Sequence, residues 1–209
     1  MNTTAFTAPR AENTRSWTYR IRPTVQHEGP FEVFNAPHLS IKNFENVFTP
    51  PTQFRWDPMP LPAKETTFID GLSCICGNGS PLSQTGAALY LFACNKSMKD
   101  QFFYSADGEM VIVPWEGKLL VKTEFGHLDL EPGFIGCVPR GVKFQVELKT
   151  PTAQGYVCEN FGRSFRLPEL GPIGANGLAA RRDFEIPKAQ FEERSGNFEL
   201  IAKFGGQTF

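Results

Sequence analysis

His127-Leu-Asp129 and Cys74-Ile-Cys76 are two places where metal-binding side chains recur at i, i+2. On a strand that spacing puts both side chains on one face. A histidine and an aspartate so placed are two members of the two-His, one-carboxylate set that holds non-haem iron(II) with positions open for oxygen and substrate. No histidine follows His127, so the third ligand would have to be His27 or His38, both far upstream. The plainer reading is a surface His and Asp at a strand end. Two thiols on one face are half of a tetrahedral zinc site. The remaining cysteines, Cys94, Cys137 and Cys158, occur singly, and free cysteine packs as a small hydrophobe. Glu192-Glu193 lies in a polar stretch and reads as a solvated face. Gly77-Asn-Gly79-Ser-Pro81 opens like a dinucleotide fingerprint, but it lacks the third glycine and has a proline where the helix should begin. No Cys or Ser is paired with a nearby His.

A further constellation is drawn by turn residues. Gly133-Phe-Ile-Gly-Cys-Val-Pro139-Arg-Gly141-Val-Lys-Phe144 follows the frame G-x5-P-x-G-x2-H, with Phe144 in the histidine place. That frame is the second motif of the cupin fold. Its first motif, H-x-H-x4-E-x6-G, anchored on Gly117, puts the ligand slots at Phe103, Ser105 and Met110. The turns of a metal-binding jelly roll are therefore expected, and its coordination chemistry is not: no metal, cofactor-binding or catalytic residue is assigned in this chain.

The elements that must carry these residues are short strands. Thr66–Cys76, Ala87–Cys94, Glu109–Trp115, Lys118–Phe125, His127–Leu130, Phe134–Val138, Lys143–Leu148 and Gly155–Phe161 are rich in β-branched and aromatic residues and are separated by Gly, Pro, Asn and Asp. Asp107-Gly108 is a hairpin-type turn signal. Residues 184–204 return to strand-like pieces after a Gly- and Pro-rich loop at 167–178. Residues 1–65 keep no period, and their prolines between 50 and 62 exclude a helix. This stretch is read as an extended arm with edge strands that lays aromatics across a sheet or a neighbouring subunit. The fold expected is all-β: a cupin-like jelly-roll β-sandwich over 66–209 with a Pro- and aromatic-rich amino-terminal arm over 1–65. The ending at Phe209, just after a turn signal, reads as a cut inside that domain.

Composition narrows the partners. Lys+Arg (21) nearly equals Asp+Glu (22), so no basic stripe marks a nucleic-acid partner. There is no apolar run of membrane-span length and no signal peptide at the start. Five cysteines without an even framework fit a reducing cytoplasm. The sequons at Asn78 and Asn95 are read as chance.

Several longer runs resemble one family. They are Ala5-Phe-Thr-Ala-Pro-Arg10 with Arg15-Ser-Trp-Thr-Tyr-Arg-Ile-Arg-Pro23, Gln53-Phe-Arg-Trp56, Asp70-Gly-Leu72 with Cys76-Gly-Asn-Gly79, Phe103-Tyr-Ser-Ala-Asp-Gly108 leading to Ile112-Val-Pro114, Thr123-Glu-Phe-Gly126, and Gly171-Pro-Ile-Gly-Ala-Asn-Gly-Leu-Ala179 followed by Arg182-Asp-Phe184. End to end, the chain resembles the amino-terminal β-sandwich domain of homogentisate 1,2-dioxygenases. The resemblance implies oxygen-dependent ring cleavage of homogentisate to maleylacetoacetate in tyrosine and phenylalanine breakdown. It implies Fe(II) held in a carboxy-terminal cupin domain beyond this chain, and hexamers built from trimers. The family's ligand motifs and catalytic residues find no matching positions here. Its opening Gly-Phe-Gly-Asn signature is also missing before Met1, so the chain is expected to be a truncated piece, inactive alone. The alternative is a stand-alone metal-free cupin that serves as a binding or assembly module.

Overall fold

The computed structural model describes residues 29–41, 50–53, 55, 57–166 and 181–209. The chain divides into two units. The smaller comprises 1–31 and 164–186; its described part includes a 3-10 turn at Arg181–Asp183. The larger, 32–163 with 187–209, holds eleven strands among the described residues. They are β1 (Leu72–Ser80), β2 (Thr85–Cys94), β3 (Gln101–Ser105), β4 (Glu109–Glu116), β5 (Leu119–Thr123), β6 (Gly126–Leu130), β7 (Gly136–Val138), β8 (Phe144–Leu148), β9 (Ala153–Asn160), β10 (Glu199–Phe204) and β11 (Gln207–Thr208).

These strands form two sheets, ordered β1-β2-β9-β4-β7 and β11-β10-β3-β8-β5-β6. The order 2-9-4-7 facing 3-8-5-6, with consecutive strands crossing from one sheet to the other except at the β5-β6 hairpin, is that of a jelly roll. All of these pairings are antiparallel, and β10 adds to β3 in parallel. The expected all-β sandwich is thus the fold of the chain. Period-2 alternation decides which residues line its interior. Tyr90, Phe92, Phe103, Met110, Ile112, Phe144, Val146 and Val157 point inward and are at most 2% exposed.

The turn frame does what its glycines suggest. Gly117, Gly133 and Gly141 have φ of 81°, 101° and 79°, where side chains with a Cβ are strained. Gly141 N–H also donates to the Ser105 carbonyl at 2.8 Å, tying the Pro139 turn to the end of β3.

Three local expectations are corrected. Thr66–Cys76 becomes strand only from Leu72, because Thr67 Oγ1 bonds the Asp70 carboxylate and Gly71 N–H closes a turn on Thr67. Asp107-Gly108 does not join a hairpin; it carries the chain from β3 in one sheet to β4 in the other. Its Ser105 Oγ accepts from the N–H groups of both Asp107 and Gly108, a local bond that favours a turn over ladder pairing. Gln101–Ser105, absent from the strand segments read above, is a strand, paired on both sides by β8 and β10. Part of the arm region is core: Ala36 and Leu39 are buried, and Phe34 and Ile41 donate backbone bonds to Thr208 and Gly206.

Candidate functional site

The four ligand slots converge inside the jelly roll. Phe103 of β3 and Phe144 of β8 are direct partners across the ladder, and their rings meet edge to face at 5.6 Å. Phe68 packs on Phe144 at 6.3 Å and on Phe92 at 5.1 Å. Met110 of β4 is buried beside them in the same core cluster. Such tilted aromatic contacts are favourable in their own right. Two phenyl rings and a thioether offer iron(II) no hard donor, and the fourth slot, Ser105, already donates its hydroxyl to Glu159 Oε1. The slots therefore do not fit the metal of the cupin motifs. Among the described residues no group of three or more His, Cys, Asp or Glu could hold one.

Beside the aromatic plug lies a polar cluster that the sequence reading did not single out. Lys203 of β10, 1% exposed, places Nζ 2.9 Å from Asp107 Oδ2 and 2.8 Å from Glu159 Oε2. Tyr90 OH donates to the same Glu159 oxygen at 2.7 Å. Asp107 accepts further bonds from the N–H groups of Gly205 (2.6 Å, Oδ1) and Gly206 (2.9 Å, Oδ2). Lys203 also sits 5.6 Å from the Phe161 ring centre. Every charged group here thus has partners of opposite charge and hydrogen bonds, which burial demands. Burial first, and the Glu159 carboxylate second, push the Tyr90 hydroxyl well above the usual phenol range. Burial likewise lifts the nearby Cys74 thiol to about 11, against the opposing pull of Lys203. Chemically the cluster is a lock. It joins β2 and β9 of one sheet to β3 and β10 of the other, and all four carboxylate oxygens of Asp107 and Glu159 accept bonds within it.

The sequence candidates fall elsewhere. His127 and Asp129 share one face of the edge strand β6, as their spacing requires, opposite Lys122 and Leu120 of β5. His127 pairs its backbone with Lys188. His38 is not brought to them in any metal-binding group; its Nε2 lies 3.1 Å from the Ile69 carbonyl. His27 lies outside the described residues. Cys74 and Cys76 do not share a face, contrary to the i, i+2 expectation. A bulge at Ile75 pairs Cys74 with Tyr90 and Cys76 with Leu89, so Cys74 faces the core and Cys76 the outside. Glu192 bonds Lys122 and Arg194 at the surface. Asn95 anchors the chain before β1, donating to the Pro62 and Lys64 carbonyls and accepting from Thr66 N–H. The cleft of about 740 Å³ by Thr67, Lys96, Lys99 and Phe198 lies apart from the slots.

Solved structures similar to this chain include a cupin-2 domain protein from Shewanella frigidimarina, 19% identical over 35% of this chain and 70% of that one, with a TM-score of 0.32. Another is an RmlC-like cupin family protein with a double-stranded β-helix fold from Methanocaldococcus jannaschii, 13% identical over 43% and 77%, with a TM-score of 0.36. The family model described as homogentisate 1,2-dioxygenase N-terminal matches residues 1–209. The chain, whose described residues fold as a jelly roll and which that model matches over residues 1–209, belongs to the homogentisate 1,2-dioxygenase amino-terminal family.

Proposed function

We propose that this chain is the structural half of an Fe(II)-dependent homogentisate 1,2-dioxygenase, and that the ring-opening chemistry belongs to a carboxy-terminal cupin domain that docks on it. In this reading the aromatic side chains in the ligand slots are the working state of a scaffold. The observation that carries it is the Phe103–Phe144 contact: two ligand places are spent on one apolar packing interaction at 5.6 Å. The second support is the lock around Lys203, whose two carboxylate partners are spent on binding the two sheets together. The reading includes assembly of subunits into hexamers, with residues 1–65 as an arm and 66–209 as the sandwich. The cytoplasm suits its five free cysteines.

The test is direct. The 209-residue chain, loaded anaerobically with Fe(II), is given homogentisate and oxygen. Neither stoichiometric iron binding nor oxygen uptake is expected. Turnover would overturn the scaffold reading, and tight iron binding without turnover would point to a metal site among other residues. The arm is tested in a full-length homologue by deleting the segment matching 1–60; an unchanged oligomer size in sedimentation would rule out a role for it in subunit contacts.

A further inference from the structure

The cleft beside the start of β3, about 740 Å³, is of a size that takes a small organic molecule. Its walls are the loop before β3, the first residue of that strand and the chain entering β10. The loop is fixed by backbone bonds. The N–H groups of Asn95 and Lys96 donate to the Thr66 carbonyl at 3.0 and 3.1 Å, and Met98 N–H donates to the Val146 carbonyl at 2.9 Å. Leu148 N–H donates to Ser97 Oγ at 2.9 Å. Groups carried on such a frame are in place before anything binds.

Some charges at the cleft are answered by the protein. Lys96 pairs with Glu65, and Asp100 pairs with Arg194. Others are not. Lys99 is an exposed ammonium with no carboxylate partner among the described residues. Glu199 is met by a neutral group, the Gln101 amide, whose Nε2 donates to it at 2.6 Å. Gln101 Oε1 is buried with no donor, the one such side-chain atom among the described residues. Turning the amide round does not cure this, because its oxygen would then face the Glu199 carboxylate. Buried acceptors in native structures have donors, so a donor is missing at this point. Phe198 supplies an apolar wall. Its ring is 43% exposed, fixed by Phe102 at 6.0 Å and by the Arg194 guanidinium at 4.7 Å.

We propose that this cleft binds a free α-amino acid with an aromatic side chain. The unanswered groups are a cation, an anion and an acceptor close together on Lys99, Glu199 and Gln101. A zwitterion is their complement. The ligand carboxylate pairs with Lys99, helped by the Ser97 hydroxyl, whose proton is unspent. The ligand ammonium donates to Gln101 Oε1 and to Glu199. The ligand ring lies along Phe198. A simple carboxylate leaves Glu199 and Gln101 unmet, an amine leaves Lys99 unmet, and a peptide holds its two charged ends too far apart. The pairs are exposed and each is weak alone, so the affinity expected is about 0.1–1 mM. The cleft lies apart from the filled ligand slots. Binding there is independent of where iron binds, and either reading can fail without the other.

Nuclear magnetic resonance titration of the 209-residue chain with L-phenylalanine tests the site. Saturable shifts are expected in the amide signals of residues 96–101 and 197–199. Phenylacetate, phenethylamine and L-alanine, each lacking one recognised group, bind about tenfold more weakly or worse. These comparisons use the wild-type chain and are free of any folding defect. Lys99→Met and Glu199→Gln weaken L-phenylalanine by a similar factor with unchanged circular dichroism, while Lys188→Met, at the far edge of the sheet, does not. No saturation by about 20 mM overturns the proposal. So does phenylacetate or phenethylamine binding as tightly as L-phenylalanine, or a Lys99→Met chain that binds as the wild type does.

Discussion

Phe144 and Lys203 carry opposite lessons at the scale of single residues. Phe144 stands in a ligand place and is ordinary core. Lys203 stands in a strand-like stretch where no chemistry was read and is the centre of a buried ionic lock. Removing one partner of such a lock strands the others. Lys203→Met is expected to lose about 3–5 kcal/mol in denaturant unfolding. The triple variant with Asp107→Asn and Glu159→Gln should recover part of that loss, because the stranded charges are gone. A single variant that unfolds at the wild-type midpoint would show that the lysine is not needed there. Tyr90 supplies a pH signature. Its hydroxyl is pushed up on folding, so the folded state holds that proton more tightly than the unfolded chain does. The associated stability is fully present below the ordinary phenol pKa of about 10 and is lost as pH rises through the folded value. In an alkaline titration followed by tyrosinate absorbance, Tyr90 is expected to ionise late, together with unfolding. The Tyr90→Phe protein should lack that late step.

Elements, more than residues, decide which groups meet. The bulge at Ile75 turns a single-face thiol pair into one half-buried and one exposed cysteine. Alkylation of the folded chain should therefore reach Cys76 but not Cys94, whose thiol is buried and pushed up to about 12; mass spectrometry of the labelled peptides checks this, and native-state labelling of Cys94 would contradict the buried placement. β9 is held between β2 and β4 with no room for an added methyl group at Gly155. A Cβ there would lie 2.3 Å from the Val113 carbonyl and 2.4 Å from the Phe92 ring. Neither the ladder backbone nor the packed ring can retreat, so Gly155→Ala is expected to cost about 1–3 kcal/mol in thermal or denaturant unfolding. A variant as stable as wild type would mean that β9 is less tightly framed than its register indicates.

For the molecule as a whole, the division of labour between sequence and tertiary structure is plain. Alternation and turn chemistry are local, so the all-β class, eight of the strand segments and the Gly133–Pro139–Gly141 frame were legible from the chain alone. So were the side chains that occupy the frame's ligand slots, Phe103, Ser105, Met110 and Phe144, because a residue's donor atoms are a property of its own side chain. Other features required contacts between distant positions. Glu159 and Lys203 are 44 residues apart, and Asp107 and Lys203 are 96 apart. The local hint was a charged residue on the inward register of an apolar strand, and only the closed sandwich shows that two such residues answer each other. The row Cys76, Leu89, Cys158, Val111 and Cys137 is another case, since its five members come from five strands and share a face only through the jelly-roll order. Sequence by itself determined what each position can do chemically; the tertiary structure decided which positions touch, because strand pairing over long separations sets register, and register sets faces.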